Sequence, residues 1–335
     1  VVRDRWSRAA APTQPIGRRR VWSRRDSLIA LALLAVPTLA SLVLPALAVW
    51  PKGLSLTSAP FWNAAVSFIN QHFFDPLEAL RTFMLLNVMN PFRDALAALP
   101  WPIATVLLAL AGWRLGGWRV GAGIAAMAMF IVVTGYWLPA TGSVYLTLLA
   151  VAGALAVGMP FGIWVSARPR WHQPVQLLLD TLQTLPTLVY LLPAVMLFRN
   201  GDFSALIAIS SYAVAPAIRY GMAAMAHVPS ERIEAAAMSG CSKWQTFVHV
   251  RLPAALPTLL LGVNQTVMMA LSMLVIAALV GTRELGQEVF TSLSQGQPGP
   301  GITAGLCVAC IALIADALLK SGAARAARHQ GEAHA

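Results

Sequence analysis

The sequence predicts an all-α fold, a polytopic bundle of membrane-spanning helices. Hydrophobic residues make up 58% of the 335 amino acids and charged residues only 11%. A soluble domain usually carries about 25% charged residues, because its surface must be wetted. Several long stretches lack any charge and provide the roughly 20 helical residues that cross a hydrocarbon layer of about 30 Å. These observations exclude a soluble globular protein.

About eight spans are predicted, and the basic residues give them a direction. With the N-terminus inside, 19 of the 24 lysines and arginines lie at the inner ends of the spans and five at the outer ends. This bias predicts that both termini are cytoplasmic. It also explains the net charge of +11 by membrane topology, so no nucleic-acid partner is predicted. The predicted spans are residues 28–50, 99–113, 119–138, 143–166, 181–198, 203–225, 257–280 and 302–320.

The first predicted span has two interpretations. Arg24 and Arg25 precede an apolar run that ends in Ala46-Leu47-Ala48, which is also typical of a secretory or twin-arginine signal. Cleavage after Ala48 would leave seven spans in the same orientation. We favour a retained anchor, because the apolar stretch is longer than the about 7–15 residues of a usual signal core.

The longest predicted inside loop, residues 227–256, is the most informative part of the chain. Its first helix, predicted over 230–239, has Ser230 as a candidate N-cap and is stopped by Gly240. Ser242 and Gln245 form a capping box for a second helix that must end before Pro253. A plain connector in a bundle needs only about 2–8 residues. The length and the caps of the loop therefore indicate a docking site for a cytoplasmic partner. The alternative is a well-ordered connection between two spans that binds no partner.

The spacing within this loop resembles a known family signature. Glu234-Ala235-Ala236 is followed by three residues and Gly240, then by nine residues, Val250, one residue and Leu252-Pro253. This pattern resembles the EAA motif of permease subunits of binding-protein-dependent ABC importers, in which Ile is usual where Val250 stands. The resemblance implies a type I permease core and a coupling helix that fits a groove on an ATPase subunit. The implied ATPase-coupling residues are Glu234, Ala235, Ala236, Gly240, Leu252 and Pro253.

Two shorter runs resemble the glycine betaine, proline betaine and choline branch of that family. They are residues 180–186 with 189–193, and residues 262–266 with 270–273. The resemblance implies the transmembrane permease subunit of an ATP-driven importer of a quaternary ammonium compatible solute in the inner (plasma) membrane of a bacterial cell. Its implied partners are an ABC ATPase subunit, an external solute-binding protein, membrane lipid and a second copy of the chain. A homodimer is expected because one coupling loop serves only one of two ATPases.

The predicted domain organisation has four regions. Residues 1–26 form a basic cytoplasmic N-terminus, and 27–139 contain the N-terminal spans with an outer segment. Residues 140–320 form the ABC permease core that the resemblance covers, and 321–335 form a cytoplasmic tail. Within the second region, residues 61–94 mix aromatic, polar and charged side chains, which favours a helix on the outer membrane surface. A weakly ordered loop is the alternative.

Polar groups within the spans are candidates for the solute pathway. Pro186 and Pro193 each remove a backbone donor from one span, which predicts a discontinuous helix that lines a cavity. Polar side chains at such depth mark pathways, and for Asn264 and Gln265 hydrogen bonding between helices is an equal alternative. For Asp180 a structural cap or an ion pair is predicted instead. The predicted pathway residues are Gln183, Pro186, Tyr190, Asn264 and Gln265.

Aromatic rings are a second requirement for the predicted solute. A quaternary ammonium ion donates no hydrogen bond, so its site needs aromatic faces. Aromatic side chains near span ends more often form an interfacial belt, which is the favoured role here, and a solute contact is the alternative. The candidate rings are those of Tyr190, Tyr212, Trp137 and Tyr145.

The sequence predicts no catalytic, metal or cofactor site, and the chain is not predicted to be an enzyme. No GxxxxGK[ST], HExxH or GxSxG motif occurs in the 335 residues, so ATP hydrolysis is assigned to a separate chain. The alternative function is an ion-coupled secondary transporter that uses Asp180 and Asp316. Asp316 and Lys320 are also predicted to form an i,i+4 ion pair, and Gly158 and Gly162 to pack helices closely.

Overall fold

The computed structural model describes residues 24–43 and 57–332, and every regular element in these ranges is helical. This confirms the all-α prediction. The helices are α1 Arg24–Val43, α2 Ala59–Met84, α3 Asn90–Ala97, α4 Trp101–Gly116, α5 Trp118–Val133, α6 Trp137–Ser166, α7 Pro169–Thr184, α8 Leu188–Phe198, α9 Asp202–Ala226, α10 Ser230–Met238, α11 Lys243–Thr246, α12 Leu252–Ala277, α13 Leu285–Ser294 and α14 Pro298–Glu332. The π-helical turn Leu85–Met89 joins α2 to α3, and the π-helical turn Phe247–Arg251 joins α11 to α12. A 3-10 turn, Ala278–Val280, follows α12.

The chain divides into two compact units, residues 1–63 and 64–335. The first unit contains α1, a 20-residue apolar helix with exposed leucines. Most of the predicted basic N-terminus, the end of the first predicted span after residue 43 and the alternative cleavage site after Ala48 lie outside the described residues. The candidate site described below belongs to the second unit.

Length and composition allow four of the described helices to cross a membrane. They are α6, α9, the continuous helix Lys243–Val280 and the Pro298–Arg325 part of α14. The number rises to six if each of two bent pairs forms one span: Ala59–Ala97 with α4, bent by 94°, and α7 with α8, bent by 90°.

The described residues thus contain four to six candidate spans against the eight predicted for the whole chain, of which the first, 28–50, lies partly outside them. The predicted spans 99–113 and 119–138 correspond to α4 and α5, which have 16 residues each. At 1.5 Å per residue, each extends only about 24 Å. α5 ends at Val133 because Gly135 adopts a φ of +82°, which a continuing helix does not permit.

The predicted outer segment is helical, which confirms one of its two interpretations. α2 bends at Phe73, where φ is −122° and ψ is 16°, and continues through the π-helical turn into α3. The weakly ordered loop is therefore wrong for residues 61–94. Their position at the membrane surface stays a prediction.

The centre of the second unit is the close packing of α6 along α9, and α12 packs against both α9 and α14. Gly162 and Gly158 lie on the contact face of α6. A Cβ at Gly162 would stand 2.2 Å from the Ile218 carbonyl oxygen, and one at Gly158 would stand 2.7 Å from the Ala217 Cβ. The two backbones therefore touch, which confirms the predicted packing role of these glycines.

Two candidate regions lie at the opposite ends of α9 and α12. α9 leads into residues 227–256, which lead into α12, so this loop occupies one end, called here the loop end. The start of α9 and the turn after α12 lie together at the other end. We call it the cavity end, because it contains a cavity of about 710 Å³.

Candidate functional site

The loop end begins with α10, whose start differs slightly from the prediction. Pro229 occupies the N-cap position with extended backbone, and no side chain caps the helix. Ser230 is the first helical residue and not the predicted N-cap. The first turn contains Glu231, whose negative charge is favourable beside the unpaired backbone N–H groups there.

α10 ends in the reversal predicted from Gly240. Gly240 has a φ of +77°, and its backbone N–H donates to the Ala237 carbonyl at 3.0 Å. The N–H of Cys241 donates to the Ala236 carbonyl at 3.1 Å. These two bonds form a Schellman motif, which satisfies the last carbonyls of the helix and turns the chain sharply.

α11 begins with the capping box predicted from Ser242 and Gln245. The Gln245 backbone N–H donates to Ser242 Oγ at 3.2 Å, and the Ser242 backbone N–H donates to Gln245 Oε1 at 2.8 Å. Both bonds are present, so the start of α11 is fixed within four residues.

The prediction that the second helix ends before Pro253 is wrong. α11 continues through the π-helical turn into α12, and the helix runs unbroken from Lys243 to Val280 over 38 residues. Pro253 is the second residue of α12, directly after the π-helical turn Phe247–Arg251. This turn shifts the hydrogen-bond register just before the proline, which lacks an N–H, and the helix continues through this position.

The predicted coupling residues are all present at the loop end, but they face different surroundings. Glu234, Ala235, Gly240 and Pro253 are exposed, Leu252 is half-buried, and Ala236 is buried. A cleft of about 570 Å³ separates α10 from the π-helical turn and the start of α12. Ala235, Ala236 and Pro253 line it, together with Arg232, Ser239, Cys241, His249, Val250 and Ala254.

Two exposed apolar side chains at the loop end were not predicted as site residues. Met238 at the end of α10 is 90% exposed, and Trp244 in α11 is 72% exposed. The Trp244 ring stacks on Phe247 at a centroid distance of 5.8 Å. A methionine and a tryptophan beside the polar residues that cap α10 and α11 were the sequence indication, because large apolar groups gain by leaving water.

The predicted helix discontinuity occurs at Pro186. α7 ends at Thr184 and α8 begins at Leu188, with 90° between the two helices. Pro193 stays inside α8. The break comes after Gln183, which is half-buried, and Pro186 itself is exposed.

Tyr190 connects the two sides of this break. Its hydroxyl donates to the Leu182 carbonyl in α7, and its ring makes an edge contact with Tyr212 of α9 at 5.5 Å between centroids. The structure thus brings two of the four predicted aromatic rings together. Of the other two, Trp137 packs against Ile131 and neighbouring apolar residues, and Tyr145 lies at the cavity end.

Asn264 and Gln265 have different surroundings. Asn264 is buried, and its Nδ2 donates to Asp316 Oδ1 at 2.8 Å, while its Oδ1 has no hydrogen-bond partner among the described residues. Asp316 also pairs with Lys320 at 2.8 Å, as predicted. Gln265 is exposed. Asn264 therefore links α12 to α14, which is the interhelical role weighed against a pathway role.

The carboxylates proposed for ion coupling both have basic partners. Asp180 Oδ1 lies 2.7 Å from Arg219 Nη2, which confirms the predicted ion pair. Asp316 pairs with Lys320. Neither carboxylate is therefore free to take up an ion without breaking an existing pair.

The cavity end contains a charged network that the sequence did not predict. The Tyr145 hydroxyl donates to Asp202 Oδ2, and Arg93 Nη1 lies 3.9 Å from the same oxygen. These residues come from α6, α9 and α3. Only Tyr145 was a candidate, and its proposed role was an aromatic face. Its side chain is buried instead, and its hydroxyl orients Asp202.

Glu284 is a buried carboxylate beside this network. It caps α13 by accepting from the Gly286 backbone N–H at 3.1 Å, and it accepts from Thr282 Oγ1 at 3.0 Å and from Ser143 Oγ at 3.1 Å. Burial raises the pKa of the Glu284 carboxyl to about 7, against these hydrogen bonds, which lower it. The carboxyl joins α6 to the turn before α13.

Comparison with known proteins identifies several relatives. The glycine betaine transport system permease protein OpuAB of Bacillus subtilis (strain 168) is 35% identical over 241 residues, covering 71% of this chain and 84% of the relative. The glycine betaine/proline betaine transport system permease protein ProW of Escherichia coli (strain K12) is 36% identical over 236 residues, covering 70% of this chain and 66% of the relative.

A third relative covers more of this chain but is much longer. The trimethylamine N-oxide transport system permease protein TmoV of Pelagibacter ubique (strain HTCC1062) is 35% identical over 283 residues, which is 84% of this chain and 39% of the relative. The chain thus spans less than two thirds of TmoV and of ProW. These relatives are named as permease proteins of transport systems.

The fold has a counterpart among solved structures. A chain of the MetNI methionine ABC transporter, solved in inward-facing conformations, superimposes with a TM-score of 0.50. The match covers 60% of this chain and 96% of that chain at 19% sequence identity, so the likeness concerns the fold alone. It agrees with the permease core implied by the EAA spacing.

The family itself is given by a match over residues 158–327, which include α9, the loop end and α12. Together with the identity to OpuAB, this match shows that the chain belongs to the family described as binding-protein-dependent transport system inner membrane component.

Proposed function

We propose that the protein is the transmembrane permease subunit of an ATP-driven importer of a quaternary ammonium compatible solute. The observation that carries the proposal is the built geometry of the loop end. A Schellman motif and a capping box hold α10 and α11 in a fixed arrangement, and Met238 and Trp244 point into solvent beside it. Exposed apolar groups on a rigid surface are typical of a protein-docking site.

The partner at this surface is a separate ATPase subunit. Glu234 and Ala235 lie on the exposed side of α10, and Gly240 forms the turn that presents α11. Because Lys243–Val280 is one helix of 38 residues, a displacement of α11 is passed into α12 with no flexible loop between them. At 1.5 Å per residue this helix extends over about 57 Å, which reaches from the loop end to the cavity end.

The solute class is supported by the relatives and by the aromatic pair. The relatives are named for glycine betaine, proline betaine and trimethylamine N-oxide, which are all methylated amines. The edge contact between Tyr190 and Tyr212, beside the break at Pro186, provides aromatic surface of the kind that a quaternary ammonium ion needs. Choline remains a further candidate solute.

The assembly follows from the same arrangement. An external solute-binding protein delivers the solute, and two copies of the chain form the pathway, because one loop end engages one of two ATPases. The loop end faces the cytoplasm together with both termini, in agreement with the positions of 19 of the 24 basic residues. The cavity end then faces the binding protein.

Reconstitution tests this function. The chain is placed in vesicles with its ATPase, and the binding protein and labelled glycine betaine are added on the cavity side. We expect uptake that requires ATP hydrolysis and is absent without the ATPase. Competition with unlabelled choline, proline betaine and carnitine ranks the solutes. Uptake driven by an ion gradient in vesicles without the ATPase would overturn the proposal in favour of a secondary transporter.

A further inference from the structure

The cavity at the cavity end has walls that carry both signs of charge. The cavity has a volume of about 710 Å³. It is lined by the π-helical turn Leu85–Met89 with α2 and α3 on either side, by the starts of α6 and α9, and by the turn after α12. A cavity of this size accepts a small solute together with water. Its charged lining consists of Arg81, Arg93, Arg283, Asp202, Glu284 and Glu288.

Two of these charges already have close partners. Arg81 Nη1 lies 2.8 Å from Glu78 Oε1 within the same helix. Glu284 is buried and accepts hydrogen bonds from Ser143, Thr282 and Gly286. These groups hold their own elements together, and a solute would have to break existing bonds to use them.

Arg93 and Asp202 are arranged differently. Their closest atoms, Arg93 Nη1 and Asp202 Oδ2, are 3.9 Å apart, which is too far for a hydrogen bond. Arg93 Nε donates to Asp94 Oδ1 of the neighbouring residue at 3.3 Å, so this ion pair uses Nε and not the terminal nitrogens. The Arg93 side chain is 43% exposed and the Asp202 side chain 20% exposed.

Tyr145 fixes the acidic half of this pair. Its hydroxyl donates to Asp202 Oδ2, and its side chain is only 3% exposed. Since a buried ring changes rotamer with difficulty, the Asp202 carboxylate is held in one orientation. Asp202 also lies in the first turn of α9, where the helix dipole favours a negative charge.

We infer that Arg93 and Asp202 form a binding subsite for a zwitterionic solute with a quaternary ammonium group and a carboxylate. The solute lies alongside the pair in the opposite direction: its carboxylate accepts hydrogen bonds from the Arg93 guanidinium, and its ammonium group lies against Asp202. Tyr145 acts as a positioning residue. This inference rests on the proposed function, because it names where the solute is received.

The charge arrangement favours a zwitterion over either single ion. A cation attracted to Asp202 leaves the terminal nitrogens of Arg93, whose Nε already contacts Asp94, without an acceptor, and an anion at Arg93 leaves Asp202 without a cation. A zwitterion satisfies both charges at once and adds no net charge to the cavity. Guanidinium groups also bind carboxylates with two parallel hydrogen bonds, which fixes the direction of the solute.

Equilibrium binding to the purified full chain in detergent tests the subsite without ATPase or binding protein. Saturation-transfer NMR follows the methyl signal of glycine betaine, and tetramethylammonium and acetate serve as the two single-ion probes. We expect glycine betaine to bind, and each single ion to bind about tenfold more weakly or worse, since it satisfies one charge of two. Arg93→Gln and Asp202→Asn should each raise the Kd for glycine betaine about tenfold.

Matched variants separate binding from folding. Arg93→Lys should restore part of the affinity, and Tyr145→Phe should weaken binding less than Asp202→Asn does. Arg119→Gln removes the same charge from the N-terminal turn of α5 and should leave the Kd unchanged. Each variant is first compared with wild type by thermal unfolding, so that a loss of the binding signal can be distinguished from a loss of folded protein.

The inference is wrong if wild type gives no saturation transfer, if Arg93→Gln binds glycine betaine like wild type, or if tetramethylammonium binds as tightly as glycine betaine. Failure here together with intact ATP-driven uptake would reject the subsite and leave the proposed function standing. Intact binding with no ATP-driven uptake in the reconstituted system would reject the proposed function and leave the subsite standing.

Discussion

Gly240 donates its backbone N–H to the carbonyl of Ala237 at 3.0 Å while its own φ is +77°. A side chain at Gly240 would meet no neighbouring atom, so the requirement for glycine is conformational and not steric. α10 and α11 therefore owe their relative orientation to this one backbone conformation. Its consequences for coupling can be measured directly.

Gly240→Pro should abolish ATP-driven uptake. Proline holds φ near −65° and lacks the N–H that Ala237 accepts, so the reversal between α10 and α11 cannot form. We expect loss of ATPase co-purification, or ATP hydrolysis without uptake, in reconstituted vesicles. Gly117→Pro is the matched control, because Gly117 has a φ of +88°, donates to Trp113 at 2.9 Å and lies between α4 and α5. Wild-type uptake by Gly240→Pro would reject the docking role of the loop end.

Trp244→Ala should weaken ATPase binding without changing the fold. The indole is 72% exposed and is expected to be buried in the complex, and tryptophans at interface centres cost about 2 kcal/mol or more when truncated. We expect the Kd for the ATPase to rise by more than about tenfold in a pull-down titration. Trp118→Ala removes an indole that is 68% exposed at the start of α5 and should change the Kd little. Equal effects of both substitutions would argue against a specific surface at Trp244.

Cys241 should report which side of the membrane the loop end faces. Its thiol is exposed and lines the cleft beside α10, whereas Cys307 is buried and Cys310 half-buried within α14. A membrane-impermeant maleimide should label Cys241 in inside-out vesicles and not in right-side-out vesicles. Addition of the ATPase should slow the labelling. Rapid labelling from the right-side-out surface would reverse the proposed topology, and Cys241→Ser shows the background from the other two thiols.

Glu284 should make stability depend on pH. Its pKa in the folded protein is raised from 4.5 to about 7, so the folded state holds more protons than the unfolded state between these values. Stability should therefore be highest at low pH in this window and fall as the pH rises from about 5 to about 7, by at most about 3 kcal/mol. Thermal unfolding of wild type and Glu284→Gln measures this, and the variant should show a flatter profile. Glu288→Gln, in the same cavity lining, should keep the wild-type slope. A wild-type profile that rises with pH would contradict the burial of this carboxyl.

Gly162→Ala should separate α6 from α9. The new Cβ would stand 2.2 Å from the Ile218 carbonyl oxygen, which is backbone and cannot rotate away. We expect a loss of stability of about 2 kcal/mol or more, because overpacking forces the two helices apart. Gly153→Ala on the same helix meets only Ser210 Oγ at 3.5 Å and should be neutral or stabilising by up to about 1 kcal/mol. Similar melting temperatures for both variants would show that the α6 and α9 contact is not tight.

Local hydrogen bonds explain which parts of the site could be predicted. The reversal at Gly240 and the capping box of Ser242 and Gln245 each form within six residues, so their residue types alone indicated them. The break at Pro186 was predicted for the same reason, because a missing donor acts on its own helix. The prediction that the second loop helix ends before Pro253 was wrong, because the helix continues through the π-helical turn directly before it.

The cavity end shows what required the tertiary structure. Arg93, Tyr145 and Asp202 are separated by about 50 residues at each step, and no spacing rule joins an arginine in α3 to a tyrosine in α6 and an aspartate in α9. Glu284 is an ordinary loop glutamate in the sequence, and its pKa is raised only because the fold buries its carboxyl. Asn264 was a candidate in the sequence, but its partner Asp316 became visible only with α14 in place.

The sequence by itself determined that this protein is an all-α membrane protein whose loop at residues 227–256 is built by its own helix caps, because charge distribution, helix capping and backbone breaks act over a few neighbouring residues. The tertiary structure decided how many of the described helices are long enough to span, how this loop continues into α12, and which charges meet at the cavity end. Those outcomes depend on contacts between distant segments, whose geometry is set by close packing such as that of Gly162 against Ile218 and not by any local pattern.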